Sequence, residues 1–270
     1  MTFQPALPLP GYAGWRLLTR TAEAQQDRLA ASPAMRRDTA AFRDRIGQIA
    51  SAEALVADRQ VLRVALGAFG LDADLPAKAF VRKVLDSAEG DPRSLANRLA
   101  DPRYRAFART FGFAAAGGPL PRAPDFAERI VAAYETRQFE IAVGVQDETF
   151  RLALNARREL ADIAGRGLSE TGAWFTVMAQ PPLRQVFETA FGLPGTFGQI
   201  DIDRQRQILS DRAERLLGDG RVAQFARPDR TEELVKLYLL RAQSAQGQTA
   251  PASAALMLLQ AVPRPAVFRG

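Results

Sequence analysis

The sequence predicts an all-α protein in which two helical lobes pack around one long central helix. Three observations support this fold class. In most segments apolar residues recur at spacings of three and four, which is the period of an amphipathic helix. Helix-start signals are also frequent, and the clearest are Asp91-Pro92 and Asp101-Pro102, because Asp caps a helix and Pro fits its first position. Several apolar runs end at a glycine, where helices commonly stop.

The N-terminal lobe is predicted to span residues 15–116. Its helices are expected to start near Trp15, Ser32, Ser51, Leu75, Asp91 and Asp101. The helix from Ser51 is expected to continue to Gly70, since apolar residues keep helical spacing along it. The helix from Asp101 is expected to end at Gly112 in the left-handed conformation that glycine favours.

A stretch rich in glycine and proline, residues 114–124, separates this lobe from a C-terminal lobe at residues 125–243. Shorter helices are predicted from Pro181 and from Thr231. The segments 65–71 and 186–193 resemble each other, since both are apolar runs that end in Phe-Gly-Leu. This likeness suggests an internal repeat.

One continuous helix is predicted from Asp125 to Ile163, at the start of the C-terminal lobe. Its inward positions are spaced three or four residues apart throughout, which suits a nearly straight helix. Gln138, Thr149 and Glu159 interrupt the otherwise apolar stripe. These polar residues make the stripe a poor seam for self-association, so we expect the helix to form a spine for shorter helices.

Both ends of the chain are predicted to lie outside the helical lobes. Residues 1–14 contain three prolines and should be extended, whereas residues 244–270 should form a linker and a short apolar segment. Each end either packs on its own domain or docks on a protein partner, as extended and apolar segments do. The candidate partner-contact residues are Phe3, Leu7, Tyr12, Trp15, Leu256, Leu258 and Leu259.

The amino-acid composition narrows the classes of function that the protein can have. Hydrophobic residues make up 47% and charged residues 24%, as in ordinary globular proteins. No apolar run is long enough to span a bilayer, and the N-terminus lacks the features of a secretory signal, so a cytoplasmic location is expected. The chain has no cysteine and no histidine, which excludes disulfides, His-activated nucleophiles and the usual zinc sites. The sequence therefore predicts a non-enzymatic protein without catalytic, cofactor-binding or metal-binding residues.

Two other classes of function stay open. The net charge is +6 and all but three of the 36 basic residues are arginine, which permits a nucleic-acid-binding surface. The arginines are spread along the chain and interleaved with carboxylates, however, and no concentrated basic run supports such a surface. A small-molecule enzyme would need a deep pocket where arginines and carboxylates converge. Asp201 and Asp203 could hold Mg²⁺ together with waters, but they also fit a helix start.

Four segments carry a resemblance to a known family. The stretch from Asp91 to Phe113, together with residues 11–21, 54–72 and 181–194, resembles an uncharacterised all-helical family of alphaproteobacterial proteins, a numbered domain of unknown function. The genes of that family are associated with flagellar clusters. The resemblance implies a role in flagellar assembly or motility with a flagellar component as partner. It also leaves export as a flagellum-associated protein as an alternative location.

Overall fold

The computed structural model describes residues 3–88, 90–115, 118 and 120–260, except for the side chains of Arg122 and of residues 246–260. The described residues form thirteen α-helices and contain no β-strand, so the predicted all-α class is confirmed. No helix within these residues is long and apolar enough to cross a membrane.

Seven helices precede the glycine- and proline-rich stretch. They are α1 (Gly11–Ala30), α2 (Pro33–Ile46), α3 (Ala52–Ala57), α4 (Arg59–Gly67), α5 (Lys78–Leu85), α6 (Leu95–Arg98) and α7 (Pro102–Phe111). Asp101 caps α7 by accepting a hydrogen bond from the Arg103 amide, and Gly112 ends the helix at a φ of 61°, as predicted. The helix expected from Ser51 to Gly70 is two helices, because Asp58 caps α4 with an extended backbone.

Six helices follow this stretch. They are α8 (Phe126–Gln146), α9 (Glu148–Gly165), α10 (Glu170–Met178), α11 (Pro181–Phe191), α12 (Ile202–Leu217) and α13 (Pro228–Gln260). The backbone of α13 continues through the region from residue 244 for which the sequence suggested a linker. Gly192 ends α11 at a φ of 63°. Asp201 caps α12, so the helix-start interpretation of this carboxylate is confirmed.

The prediction of one continuous helix from Asp125 to Ile163 is wrong. Asp147 breaks it into α8 and α9 with an extended backbone, at φ −147° and ψ 101°. The carboxylate Oδ1 of Asp147 accepts hydrogen bonds from the backbone amides of Thr149 and Phe150, at 2.8 and 3.2 Å. A capping carboxylate satisfies amides that an uninterrupted helix would bond to carbonyls, so the local cap overrides the apolar period.

Helices α8 and α9 pack against each other and organise the rest of the fold. The N-terminal helices α1, α2 and α4 pack on α8, whereas α11 and α13 pack on α9. The buried apolar side chains of both predicted lobes form one cluster. Its largest members include Trp15, Phe42, Phe107, Phe139, Trp174 and Phe187. The two lobes therefore share a single hydrophobic core.

Replacing Asp147 with alanine is expected to lower the free energy of unfolding by about 1 kcal/mol, because α9 loses its side-chain cap. Asp147→Asn is the matched control and should stay close to the wild type, since asparagine caps as well as aspartate. Urea unfolding followed by circular dichroism measures both variants. An alanine variant as stable as the wild type would show that packing alone holds the break between α8 and α9.

Candidate functional site

A polar pocket of about 300 Å³ opens where the turn after α4, the start of α7, the α8–α9 pair and the start of α11 meet. Its charged lining residues are Asp72, Asp101, Arg103, Arg137, Glu140, Arg151 and Glu159. Asn155, Gln180, Pro181 and Pro182 complete much of the remaining wall. Charged side chains of both signs therefore converge in one recess.

A network of four mostly buried charges lies at the pocket, and three of its members, Arg137, Glu140 and Glu159, line it. The Arg158 guanidinium donates from Nε and Nη2 to the two carboxylate oxygens of Glu140, at 2.7 and 2.9 Å. Arg158 Nη1 and Arg137 Nη2 both donate to Glu159 Oε1, the latter at 3.1 Å. The side chains of Glu140 and Glu159 are only 9% and 11% exposed. Since a buried charge is costly without a partner, these four residues depend on one another.

The network shifts the pKa values of its members. Burial alone would raise the pKa of the Glu159 carboxyl, but Arg158 and Arg137 together hold it below its usual value. Burial, and then the nearby charge of Arg158, lower the pKa of Arg137. Burial also opposes the charge of Arg158, yet Glu140 and Glu159 raise the pKa of this guanidinium overall. The pKa shifts of Glu159 and Arg158 therefore favour the charged form of each of these two groups.

Two arginines from different helices meet at the turn after α4. Arg137 of α8 donates from Nε to the Ala68 carbonyl at 2.8 Å, and Arg103 of α7 donates from Nη1 to the Gly70 carbonyl at 2.6 Å. Arg103 is also paired with Asp101, and its Nη2 lies 2.6 Å from Asp101 Oδ2. Burial alone would raise the pKa of the Asp101 carboxyl, but Arg103 holds this pKa below its usual value. Cationic groups suit this turn because the last carbonyls of a helix carry partial negative charge.

Glycine is required at the floor of this turn. Gly70 has a φ of +68°, a conformation that other residues rarely adopt. A Cβ atom at this position would lie 3.1 Å from Arg137 Nη1 and 3.4 Å from Arg103 Nη1. The same point in space is thus close to both guanidinium groups, and the absence of a side chain lets them approach it.

Asn155 of α9 lines the pocket, and one of its side-chain atoms is buried without a partner. The residue is 7% exposed, and its side-chain Oδ1 has no hydrogen-bond donor in the structure. An unsatisfied buried acceptor costs on the order of 1–3 kcal/mol, so most such atoms in folded proteins find a partner. The charged side chains that converge with Asn155 in this recess mark it as the best candidate for a ligand site.

A second, more open recess of about 630 Å³ lies on the other side of α8. Its walls include Phe3, Met35, Tyr134 and Ile141. Ile141 also lines the polar pocket, so this side chain stands on a ridge of α8 between the two recesses. Ile141 and Val145, one helical turn apart, are 40% and 83% exposed.

The N-terminal extension packs on its own chain. Phe3, Leu7 and Tyr12 are partly buried against the core, and the ring centroid of Phe3 lies 6.4 Å from that of Phe139. Hydrogen bonds fasten the extension at the Pro5 carbonyl, which accepts from Gln146 of α8, and at the Ala6 amide, which donates to Gln25 of α1.

Trp15 is fully buried in the core, and its Nε1 donates to Glu232 Oε1 at 2.8 Å. It is therefore not accessible to a partner in this structure. The other predicted contact residues, Leu256, Leu258 and Leu259, belong to the backbone of α13, and their side chains lie outside the described residues.

Sequence reasoning missed the polar pocket. One signal was present, since Glu159 lies on the inward-facing stripe of the α8–α9 segment among apolar residues. A charged residue in such a stripe indicates a buried ion pair with a specific partner. Within the described residues, no group of three or more carboxylates is arranged to hold a metal ion.

Glu159→Gln is expected to lower the free energy of unfolding at neutral pH by about 3–5 kcal/mol, because Arg137 and Arg158 lose a buried counter-charge. Glu128→Gln is the matched control, since Glu128 and its partner Arg43 are largely exposed and such pairs contribute less than about 1 kcal/mol. Urea unfolding of both variants near neutral pH provides the comparison.

The wild type and Glu159→Gln also test the lowered pKa of Glu159. Because the pKa of Glu159 is lowered on folding, its stabilisation is complete above the unfolded pKa of about 4.3 and is lost as the pH falls through the lower folded value. The stability difference between wild type and Glu159→Gln should therefore shrink in that acidic range. A difference that stays constant with pH would contradict the proposed charge state.

Comparison with known proteins supports the fold. The structure is similar to the crystal structure of a protein from Agrobacterium tumefaciens determined by the Northeast Structural Genomics Consortium, with a TM-score of 0.72 and 25% sequence identity. The similarity covers 89% of this chain and 98% of that one. A search of curated proteins gave no match.

The family is shown by the sequence itself. Residues 68–230 match a family described as "Protein of unknown function (DUF1217)". This range exceeds half of the chain and contains every residue that lines the polar pocket. The predicted relationship to an uncharacterised family is confirmed: the chain belongs to the DUF1217 family of proteins of unknown function.

Proposed function

We propose that this protein is a non-enzymatic interaction protein that binds a protein partner and takes part in flagellar assembly or motility. The observation that carries the proposal is the exposed apolar ridge of α8, formed by Val145 and by Ile141, which lines the recess on either side. The flagellar context comes from the sequence resemblance of this family. In this proposal the protein acts in the cytoplasm, and export as a flagellum-associated protein is the alternative.

The ridge has the features of a docking surface for an apolar segment. Isolated exposed hydrophobic residues are common, but Ile141 and Val145 are one turn apart and so form a continuous strip. The recess beside them is lined by Phe3, Leu29 and Met35, which offer an adaptable apolar wall. An amphipathic helix of the partner, with apolar residues one turn apart, would lay its apolar face along this strip.

The N-terminal extension borders the same surface. Its Pro5 carbonyl is bonded to Gln146, the residue after Val145, and Leu9 is 49% exposed. Phe3 and Leu7 reach the core only in part. The extension therefore adds partly exposed apolar side chains next to the ridge, and this position keeps it within the proposed partner surface.

A nucleic-acid-binding role would need unpaired arginines on one face. Many arginines in the described part of the chain are instead paired with a nearby carboxylate. These pairs include Arg43–Glu128, Arg45–Asp58, Arg63–Asp38, Arg184–Glu188, Arg221–Asp219 and Arg227–Asp229. They are distributed over several helices and loops, which favours local structural roles over a phosphate-binding stripe.

An enzymatic role would use the polar pocket, where arginines and carboxylates do converge. The arginines and carboxylates of the buried network are bonded to one another, which suits a binding site better than a reactive one. The pocket therefore supports ligand recognition, and this role is compatible with a protein that acts through interactions.

The partner-docking proposal predicts that Val145→Glu abolishes capture of flagellar components, because a carboxylate on the apolar ridge must be desolvated on binding. Ile202→Glu on α12 is the matched control, since Ile202 is also exposed, at 51%, but lies on another helix. Tagged wild type and both variants are used as baits in lysates of a motile bacterium that encodes this protein. The same variants are tested for swimming in a strain that lacks the gene.

Flagellar components captured by the wild type and by Ile202→Glu, but not by Val145→Glu, would support the proposal, as would a swimming defect only in Val145→Glu. Truncation of residues 1–10, which leaves α1 intact, should weaken the same capture. Equal capture by all three baits would remove the ridge from the interface. Normal swimming without the gene would remove the flagellar role.

A further inference from the structure

We propose that the groove between α1 and α8 is a binding site for an extended peptide segment, and that two copies of this chain exchange their N-terminal segments through it. In the structure the chain fills the groove with its own residues 3–7. The evidence is the set of contacts in the groove and the turn that connects the segment to α1. Neither depends on the flagellar partner or on the docking ridge.

The segment lies in the groove as an extended chain that turns every second side chain inward. Pro5 is buried, and Phe3 and Leu7 are partly buried against the core, whereas Gln4 and Ala6 are exposed. This alternation is the two-residue period of an extended backbone. The groove therefore accepts an apolar side chain at every second position, with proline at the central one.

Gln25 of α1 binds the main chain of this segment. It is only 4% exposed, and its Oε1 accepts a hydrogen bond from the Ala6 amide at 2.8 Å while its Nε2 donates to the Ala6 carbonyl at 3.4 Å. The same Nε2 donates to Thr21 Oγ1 at 2.8 Å, which fixes the orientation of the side-chain amide. A group that pairs with both the N–H and the C=O of one residue imitates a neighbouring strand. This contact is the same whichever chain supplies the segment.

Two further contacts hold the segment on α8. Gln146 Nε2 donates to the Pro5 carbonyl at 2.8 Å, and the ring centroid of Phe3 lies 6.4 Å from that of Phe139. A second copy carries the identical segment, so it makes every one of these contacts in the groove. The groove contacts are therefore equally favourable in the closed monomer and in a dimer that has exchanged its segments.

The turn between the segment and α1 is the part that an exchange would change. Gly11, the first residue of α1, has a φ of +64°, and the Leu9 carbonyl oxygen would lie 1.8 Å from a Cβ on Gly14. The chain thus reverses its direction directly before the helix and runs back along it. Pro8 and Pro10 flank Leu9, and the fixed φ of proline favours an extended backbone over such a reversal.

An exchange removes this reversal from two chains at once, because residues 8–11 would then continue into the groove of the other copy. Segment exchange is a low-cost route to a dimer, since the contacts are identical, and a short hinge that resists its own turn favours it. Pro10 caps α1 without a side-chain hydrogen bond, so opening the turn breaks no such cap. The balance between monomer and dimer then depends on protein concentration.

Introduced thiols report whether a segment enters the groove of another copy, because the chain has no cysteine of its own. One full-length variant carries Ala6→Cys on the segment, and a second carries Gln146→Cys on the groove. A short bis-maleimide added to their mixture is expected to link the two into a heterodimer on a denaturing gel. Gln207→Cys replaces Gln146→Cys in the control, since Gln207 is also exposed but belongs to α12. Equal linkage with both partners would overturn the proposal.

A substitution in the hinge should strengthen the dimer. Gly11→Ala places a side chain at a positive φ, which strains the closed monomer and is relieved when the turn opens, so the association constant should rise by about ten-fold or more. Gly47→Ala is the matched control and should associate as the wild type, because Gly47 has a φ of −63° and open space at its Cβ position. Analytical ultracentrifugation over a range of protein concentrations gives the association constants.

A substitution in the segment should have the opposite effect. Phe3→Ala removes the ring that packs on Phe139 and leaves α1 unchanged, so it should lower the association constant by about ten-fold or more. The proposal is overturned if the wild type and Gly11→Ala both stay monomeric at millimolar concentration, or if Gly11→Ala associates no more strongly than Gly47→Ala. A dimer that Phe3→Ala does not weaken would also overturn it, because that dimer would use another surface.

Discussion

The mutual neutralisation of four charges between α8 and α9 is the constraint on which the centre of this protein depends. Glu140 and Glu159 are almost completely buried, and Arg137 and Arg158 supply their counter-charges. A buried ion network of this kind is seldom more stabilising than apolar residues of the same volume, but the loss of one member is costly. Both pairs that join the two helices, Arg158 with Glu140 and Arg137 with Glu159, form together in this register of α8 and α9, so the network ties the helices at two points.

That register also determines the pocket. Arg137 is held between Glu159 on one side and the Ala68 carbonyl on the other, so the network on α8 and α9 sets where the end of α4 lies. Arg103 of α7 is held in the same way, by Asp101 on one side and the Gly70 carbonyl on the other. Because glycine leaves the space above this turn open, two guanidinium groups reach the same recess from separate helices. The pocket is thus a consequence of how four helices satisfy their charged residues.

The fold was largely predictable from the sequence, and two errors of the prediction share one physical cause. Apolar spacing, the Asp-Pro start at Asp101 and glycine ends identified the all-α class and positions such as Gly112 correctly, whereas α6 begins at Leu95 and not at Asp91. Two predicted helices, one across Asp58 and one across Asp147, are longer than the helices in the structure. Each breaks at the aspartate, which caps the next helix. An apolar period continues through such a break, because the residue count between inward positions hardly changes. The capping tendency of an interior Asp is the signal that periodicity alone omits.

The candidate site was less predictable, because its geometry depends on contacts between distant residues. Glu159 was visible as a charge within an apolar stripe, but its pairing with Arg137 and Arg158 requires the α8–α9 packing. The polar pocket and the proposed docking ridge meet at Ile141, which lines both recesses. A ligand in the pocket and a partner on the ridge would contact the same side chain, which gives each a direct means of changing the affinity for the other. Such coupling is reciprocal by thermodynamic necessity, so a protein built this way could respond to a small molecule by binding or releasing its partner.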